Sequence, residues 1–181
     1  MKNPSERTVK VSGVSCRVWE QGEGEPVAFM AGIGGLPRWT RFLEILSESR
    51  RVIVPTIPGF PGSSGIGMLD DHLDWLIATH DLLGEAGAEG ADLIGVSLGA
   101  ALAADVAAVW PASVRRVVLV SPLGLFDDSN PTADIFAQNP SSLGKLLCQD
   151  PAKWEIHIAL PDSIDPVEWE VIKVRAQEAA A

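Results

Sequence analysis

The sequence predicts an α/β protein: a mostly parallel β-sheet with helices on both faces. Residues 26–31, 91–96 and 114–121 are short apolar runs without the alternation of a half-exposed strand, so each is expected to be buried on both faces. Stretches with helical spacing lie between them. Strands that alternate with helices are typical of parallel sheets, because a parallel connection has to cross over the sheet. A chain of 181 residues is long enough for one sizeable core.

Turn and helix signals give the order of the elements. The predicted strands are residues 7–11, 14–20, 26–31, 51–54, 91–96 and 114–121. The predicted helices are residues 37–49, 69–87, 97–110, 134–149 and 166–181. The first two strands alternate polar and apolar residues on either side of Gly13, which indicates an antiparallel hairpin with one wet face. Pro111 is expected to end the helix before it.

The clearest helical pattern covers residues 69–87. Its apolar residues are expected to share one buried face: Leu69, Leu73, Leu76, Ile77 and Leu83. Its first turn carries three acidic residues: Asp70, Asp71 and Asp74. Negative charge is favourable there because the helix dipole is positive at the N-terminus.

The pattern of the chain changes after Leu125. A polar loop over residues 127–132 is followed by two predicted helices with no strand between them. We therefore expect an α/β core over residues 1–126 and a separate helical segment over residues 127–181.

The charge balance excludes some classes of partner. The chain has 24 Asp and Glu against 14 Lys and Arg, a net charge of −10, and it contains no basic stripe. Nucleic acid and anionic membrane surfaces are therefore not expected as partners. The N-terminus lacks the apolar core of a signal peptide, and no apolar run is long enough to span a membrane. A cytoplasmic protein is the expectation.

The two cysteines, Cys16 and Cys148, form no motif and are expected to be buried or half-buried thiols. No cluster of cysteines and histidines has the spacing of metal ligands, so the sequence predicts no metal site.

One motif carries chemistry. Gly95-Val96-Ser97-Leu98-Gly99 is a G-x-S-x-G placed between a predicted strand and a predicted helix. A serine on such a turn adopts strained backbone angles, and glycines at 95 and 99 relieve the crowding. The turn lifts the hydroxyl clear of the sheet, and the N–H of Leu98 at the helix N-terminus can stabilise an oxyanion. The alternative is a plain helix cap with Ser97 as the capping residue.

With this motif the chain resembles the α/β-hydrolase family, in its serine-nucleophile branch. The opening hairpin, the strand and glycine loop at 26–35, the loop RVIVPTIPGFPGSSG, the elbow and the strand VVLVSPLGL occur in the family's order. The resemblance implies hydrolysis, usually of an ester, with no cofactor; cleavage of C–C bonds is a known variant. Ser97 in place of Asp argues against the epoxide and halide branches. The stretch from Phe126 resembles the start of the helical cap that many members insert.

The resemblance also implies an oxyanion hole and a triad. The N–H of Ile33, or else of Gly34, would join that of Leu98. The family commonly has His-Gly before this loop, where the His ties the loop down, and this chain has Ala31-Gly32. The family's acid and histidine follow its seventh and eighth strands, in the chain order Ser, acid, His. The resemblance thus implies a fold that is incomplete at its C-terminus, with half a triad present.

Few residues could supply the missing half. Only His157 lies downstream of Ser97, in the cap-like stretch KWEIHIAL, where it could act as base or simply pack. Asp127 and Asp128 follow the last strand but lie several residues too far along, so a solvated loop role competes with that of the acid. His80 is expected at the edge of the core and His72 in solvent.

Three aromatic residues could line an apolar pocket under the cap, with packing within helices as the alternative: Phe126, Trp154 and Trp169. Three interpretations of the whole chain remain open. It is the N-terminal part of a hydrolase of small or apolar esters, whose acid and histidine lie elsewhere. It is an inactive homologue that serves as a binding module. Or it is an oligomer in which open sheet edges pair, since the family's strand order, 1-2-4-3-5-6-7-8, leaves the strand at 114–121 unpaired on one side.

Overall fold

The structure is a computed structural model that describes residues 3–131, 133, 138, 143–153, 165–167 and 171. Its strands are β1 (Ser5–Val11), β2 (Val14–Gln21), β3 (Pro26–Met30), β4 (Arg51–Pro55), β5 (Ala91–Val96) and β6 (Val114–Val120). Its helices are α1 (Arg41–Ser47), α2 (His72–Glu85), α3 (Leu98–Val109) and α4 (Leu143–Leu147). Two short 3₁₀ turns lie at Ile66–Met68 and Pro111–Ser113.

The strands form one mixed sheet in the order β1-β2-β4-β3-β5-β6. β1 pairs antiparallel with β2, and β2 pairs antiparallel with β4. The pairs from β4 through β3 and β5 to β6 are all parallel. The predicted α/β class and the predicted strand order are therefore confirmed for the six strands. The hairpin turns at Ser12 and Gly13, where both residues have positive φ (+49° and +86°), as tight hairpins require.

Two hydrophobic clusters place helices on both faces of the sheet. On one face, Leu43 of α1 packs against Val27, Phe29, Val52 and Val54. On the other face, α2 and α3 cover the sheet, with residues such as Leu82, Leu93, Leu102 and Val106 fully buried. Burial of these side chains supplies the main stabilising free energy of the core.

Helix starts follow their capping residues. α1 begins at Arg41 rather than at residue 37, because the Thr40 side chain accepts a hydrogen bond from the Leu43 N–H at 3.5 Å. α2 begins after Asp71, whose carboxylate accepts from the N–H groups of Leu73 and Asp74, while Asp74 bonds back to the Asp71 N–H. This reciprocal capping box explains the acidic first turn that the sequence showed.

The predicted buried face of α2 is partly wrong. Leu73 is 58% exposed and Ile77 is 42% exposed. The buried stripe of the helix consists of Leu76, Ala78, Thr79, Leu82 and Leu83. The sheet meets α2 on the side of Leu76, Thr79 and Leu83, and residues 73 and 77 lie on a different side of the helix.

The prediction that residues 114–121 are buried on both faces is also wrong. β6 is the edge strand of the described sheet and pairs with β5 alone. Val118 is 53% exposed, Leu119 41% and Val120 43%. No element in the described part of the chain covers the outer side of this strand.

The helical segment predicted over residues 127–181 falls mostly outside the described residues. Within it the structure describes α4, inside the predicted helix 134–149. The domain boundary at residue 126 stays a prediction. None of the described helices is long and apolar enough to cross a membrane.

Candidate active site

The end of β5 forms a sharp turn into α3 at Ser97. β5 ends at Val96 and α3 begins at Leu98, so Ser97 alone connects them. Its backbone has φ +54° and ψ −118°, a conformation that costs a residue with a side chain about 1–3 kcal/mol. The Ser97 side chain makes no capping hydrogen bond to α3. The geometry is therefore that of an elbow, and the plain helix cap is not what forms here.

Both glycines of the motif are required by close packing. A Cβ at Gly95 would lie 2.5 Å from the Cα of Ala100 and from the carbonyl oxygen of Gly99. A Cβ at Gly99 would collide with the carbonyl oxygens of Met30 and Ala31. The obstacles are backbone atoms, which cannot rotate away. β3, β5 and α3 thus approach one another more closely at the elbow than any side chain allows.

The end of β6 holds the elbow from the other side. The Ser97 N–H donates to the Val120 carbonyl at 3.0 Å, and the Leu123 N–H donates to the Ser97 carbonyl at 3.1 Å. No pattern in the sequence indicates these two hydrogen bonds, because the residues that they join lie far apart along the chain. Two backbone hydrogen bonds help to keep the strained conformation of Ser97 in place.

The glycine loop, which we define as residues 32–36, passes directly against Ser97. A Cβ at Gly32 would lie 3.1 Å from the Ser97 Cβ and 3.6 Å from its Oγ. The loop turns through Gly34 (φ +88°) and Gly35 (φ +70°), and the Gly35 N–H donates to the Gly32 carbonyl at 3.0 Å. Ile33 follows Gly32 in this turn, which places its backbone N–H in the neighbourhood of the serine.

The N-terminus of α3 contributes its own donors. The Ser97 carbonyl accepts from the N–H groups of Ala100 and Ala101, at 3.0 and 3.1 Å. The first N–H groups of a helix, Leu98 included, have no acceptor within it. They lie at the positive end of the helix dipole, where negative charge is stabilised. The elbow therefore brings a hydroxyl, a helix N-terminus and a glycine loop together.

Neither described histidine reaches Ser97 by a hydrogen bond. His80 stacks on Trp110, with ring centroids 4.2 Å apart, and its Nε2 lies 3.4 Å from the Ser113 hydroxyl at the opposite end of β6. The side chain of His72 is 72% exposed, and its Nε2 lies 3.2 Å from a carboxylate oxygen of Asp105. Both positions agree with the expectation of a core-edge and a solvent-exposed histidine.

The Asp127 side chain is hydrogen-bonded within its own loop. Its carboxylate accepts from the N–H and the hydroxyl of Ser129, at 2.9 and 2.6 Å, and these bonds hold the pKa of Asp127 below its usual value. Phe126 beside it is 75% exposed. His157, Trp154 and Trp169 lie outside the described residues.

An open groove of about 720 Å³ runs beside the elbow. Its apolar wall includes Leu98 of the motif, Leu119 of β6, and Leu123 and Leu125 from the segment after β6. His72 and Asp105 lie on its polar rim. The apolar wall of the groove can accommodate an apolar group.

The two thiols differ in burial. Cys16 is fully buried in the core, and burial raises the pKa of its thiol; Cys148 is half-buried. In residues 3–131 and the other described positions, no group of three or more His, Cys, Asp and Glu side chains is placed to hold a metal ion.

Comparison with known proteins agrees with this architecture. The sequence pattern of the alpha/beta hydrolase family matches residues 28–181. The chain is 30% identical over 141 residues to a 2-hydroxymuconate semialdehyde hydrolase of Pseudomonas sp. (strain CF600), covering 75% of this chain and 50% of that protein. It is 34% identical over 124 residues to the dihydrolipoyllysine-residue acetyltransferase component of an acetoin cleaving system of Cupriavidus necator, covering 66% and 33%.

Among solved structures, the naproxen esterase of Bacillus subtilis superposes with a TM-score of 0.70 at 16% identity. That match covers 97% of this chain and 61% of the esterase, and it concerns the fold alone. The chain spans half or less of the length of the two curated relatives above. With the family pattern over most of its residues and the sheet order and elbow described above, the chain belongs to the alpha/beta hydrolase family.

Proposed function

We propose that this protein is a serine hydrolase in which Ser97 is the nucleophile and the N–H groups of Leu98 and Ile33 form the oxyanion hole. The observation that carries the proposal is the strained backbone of Ser97, at φ +54°, between a helix N-terminus and a glycine loop. Strain of this kind costs stability and persists where the surrounding structure maintains it, which is common at catalytic positions.

The proposed reaction is acyl transfer to the serine. The Ser97 Oγ attacks the carbonyl carbon of an ester while its proton passes to a base, and the carbonyl oxygen becomes an oxyanion. Two N–H donors stabilise that charge. The oxyanion then collapses, the C–O bond to the leaving alcohol breaks, and the base returns the proton to the alcohol. Water repeats the sequence on the acyl-enzyme and releases the acid. No step requires a cofactor.

The apolar groove supports a substrate that is small or apolar near its carbonyl. Leu98, the residue after Ser97, and Leu123, whose N–H is hydrogen-bonded to the Ser97 carbonyl, both line the groove, which suits it to hold an apolar part of a substrate. The relative from Pseudomonas is a 2-hydroxymuconate semialdehyde hydrolase, so 2-hydroxymuconate semialdehyde is the substrate to test beside esters.

A second candidate function depends on whether a base reaches the Ser97 hydroxyl. In the described part of the chain, no histidine or carboxylate is hydrogen-bonded to the Ser97 hydroxyl, and a serine without an adjacent base is a weak nucleophile. The candidate base in the sequence is His157, and the candidate acid is Asp127. The alternative is that residues of another chain supply both groups. Without either source, the chain is a binding module. A cytoplasmic location, and the absence of nucleic-acid and membrane partners, remain predictions.

A fluorophosphonate probe separates the two candidates. We expect the probe to label the wild-type chain at Ser97, and p-nitrophenyl butyrate and 2-hydroxymuconate semialdehyde to show which bond is cleaved. Ser97→Ala should lose all labelling and all turnover. The matched control is Ser12→Ala, which removes a serine that also has a positive φ, +49°, at the hairpin turn. An unlabelled wild-type chain would favour the binding module, and turnover that survives in Ser97→Ala would refute the nucleophile.

A further inference from the structure

The side chain of Arg17, in β2, contacts the glycine loop. Its Nη2 donates a hydrogen bond to the carbonyl oxygen of Leu36, the last residue of the loop, at 3.1 Å. Its guanidinium carbon lies 3.8 Å from the centre of the Trp19 ring. The indole of Trp19 is in turn held by its Nε1–H, which donates to the Glu6 carboxylate at 2.7 Å. The guanidinium is therefore fixed in direction before it meets the loop.

The loop after β4 closes over the same guanidinium. A Cβ at Gly62 would lie 2.6 Å from the Arg17 Cζ, so a side chain at this position would displace the guanidinium. The backbone of Arg17 is bound to this loop as well. Its N–H donates to the Ser63 hydroxyl at 3.3 Å, and its carbonyl accepts from the Thr56 N–H at 2.8 Å. Arg17 thus joins β2, the glycine loop and the loop after β4.

This arrangement has a cost that packing alone does not explain. Burial lowers the pKa of Arg17, and its buried Nε has no hydrogen-bond partner among the described residues. An apolar side chain of similar length would pack against Trp19 and Gly62 without losing hydration. What the arginine supplies, and an apolar side chain does not, is a charged donor for the Leu36 carbonyl. At Ala31, just before the loop, the family commonly has a histidine that ties the loop down. The methyl group of Ala31 can make no such hydrogen bond.

The glycine loop needs an external anchor. It has positive φ at two consecutive glycines and one internal backbone hydrogen bond, so little within it restricts its conformation. It also contains the Ile33 N–H and touches Ser97 through Gly32. Displacement of a catalytic group by about 1 Å can cost roughly a hundredfold in rate.

We propose that Arg17 is a positioning residue that holds the glycine loop against the Ser97 elbow through the Leu36 carbonyl. The link to catalysis rests on the proposed function, because it assigns the Ile33 N–H to the oxyanion hole. The anchoring itself does not depend on any activity, so the two parts can be tested separately.

The anchoring is tested by hydrogen–deuterium exchange. Arg17→Met keeps the apolar stem and removes the donor, and we expect peptides that cover residues 32–36 to exchange about tenfold faster, while peptides of β5 and α3 stay unchanged. The control, Arg41→Met, removes an equal charge from an exposed arginine that pairs with Glu44 within α1. It should leave the loop at the wild-type rate. Unchanged exchange in Arg17→Met would overturn the proposal.

Arg17→Lys guards against a variant that does not fold. Lysine keeps the charge and can donate to Leu36 without the fork of the guanidinium, so loop exchange should lie between wild type and Arg17→Met. If circular dichroism shows that Arg17→Met does not fold, Arg17→Lys decides the question. A wild-type rate of loop exchange in Arg17→Lys would then contradict the proposal that the Arg17 guanidinium holds the loop.

The catalytic part is read from steady-state kinetics on p-nitrophenyl butyrate. In Arg17→Met the Ile33 N–H should no longer be held in position to bind the oxyanion. We therefore expect kcat to fall by about 10- to 100-fold, while KM stays within a few fold of the wild-type value. Faster loop exchange with unchanged kcat would show an anchor that does not serve the oxyanion hole. If the wild-type chain has no activity, the proposed function fails, and the exchange data still decide the anchoring.

Discussion

At the scale of single residues, the elbow combines strain with close packing. Ser97 holds φ at +54°, and Gly95 and Gly99 lie where backbone atoms of α3 and β3 exclude a side chain. The requirement at each glycine is local and steric, so it can be measured by adding one methyl group. It does not depend on which substrate the protein acts on.

Gly99→Ala should lower the free energy of unfolding by about 1–3 kcal/mol, because the new Cβ meets the carbonyl oxygens of Met30 and Ala31. The matched control is Gly84→Ala, within α2, where the added Cβ has no heavy atom within 4 Å apart from its chain neighbours and the backbone of its own helix. That change should be neutral or raise the free energy of unfolding by up to about 1 kcal/mol. Urea denaturation of both variants measures the difference. Equal stability of the two would contradict the close approach at the elbow.

At the scale of elements, an ion-pair network ties the strands at the end of the sheet opposite Ser97. Asp92 of β5 accepts two hydrogen bonds from Arg115 of β6, at 2.8 and 2.9 Å, and one from Arg50 before β4, at 2.6 Å. Glu25, before β3, binds Arg115 in turn at 2.7 Å. The Asp92 side chain is only 13% exposed. Arg115 and then Arg50 hold the pKa of Asp92 well below its usual range.

This network predicts a specific acid sensitivity. Because the pKa of Asp92 is lower in the folded than in the unfolded chain, its contribution to stability is present above about pH 4 and is lost as the pH falls below that value. Asp92→Asn should therefore reduce the free energy of unfolding by about 1 kcal/mol at pH 7, and the gap to wild type should narrow towards pH 2.

Urea denaturation at pH 7, 5 and 3 measures that gap. Asp128→Asn is the control, since Asp128 is exposed and makes no ion pair among the described residues. It should follow wild type at every pH. A gap between Asp92→Asn and wild type that stays constant from pH 7 to pH 3 would argue against the network as its source.

At the scale of the whole molecule, the two edges of the described sheet differ. β1 exposes polar and charged residues, among them Glu6 and Lys10, which protect an edge from pairing. β6 exposes Val118, Leu119 and Val120 instead. An apolar, unpaired edge strand is a template for a further strand. We therefore expect these 181 residues, expressed alone, to self-associate through β6.

Light scattering after size exclusion tests this expectation across a range of concentrations. Wild type should shift towards dimers or larger species as concentration rises, and Val118→Lys should shift the protein towards the monomer. The control is Leu73→Lys, which places the same charge on an exposed leucine of α2 away from the edge. A monomer at every concentration would exclude edge pairing.

Features of the fold and of the site could be predicted from the sequence where they depend on residues close together in the chain. The positions of most strands and helices followed from periodicity and capping residues, and the elbow from two glycines beside a serine, since these are interactions between near neighbours in the chain. The strand order followed only from the resemblance to the family. The rotated face of α2 could not be predicted in this way, because burial depends on which elements pack against a residue. The open edge at β6 followed from the family's strand order, whereas the apolar pattern of residues 114–121 predicted burial on both faces.

The sequence by itself determined the fold class and the position of the elbow. A short apolar run reads as a strand, and only glycines at positions 95 and 99 let the backbone turn so tightly around Ser97. The tertiary structure alone decided what surrounds that turn: the hydrogen bonds of Ser97 with Val120 and Leu123, and the hydrogen bond of Arg17 to Leu36. Such contacts join residues far apart in the chain, and their geometry exists only after the strands have paired.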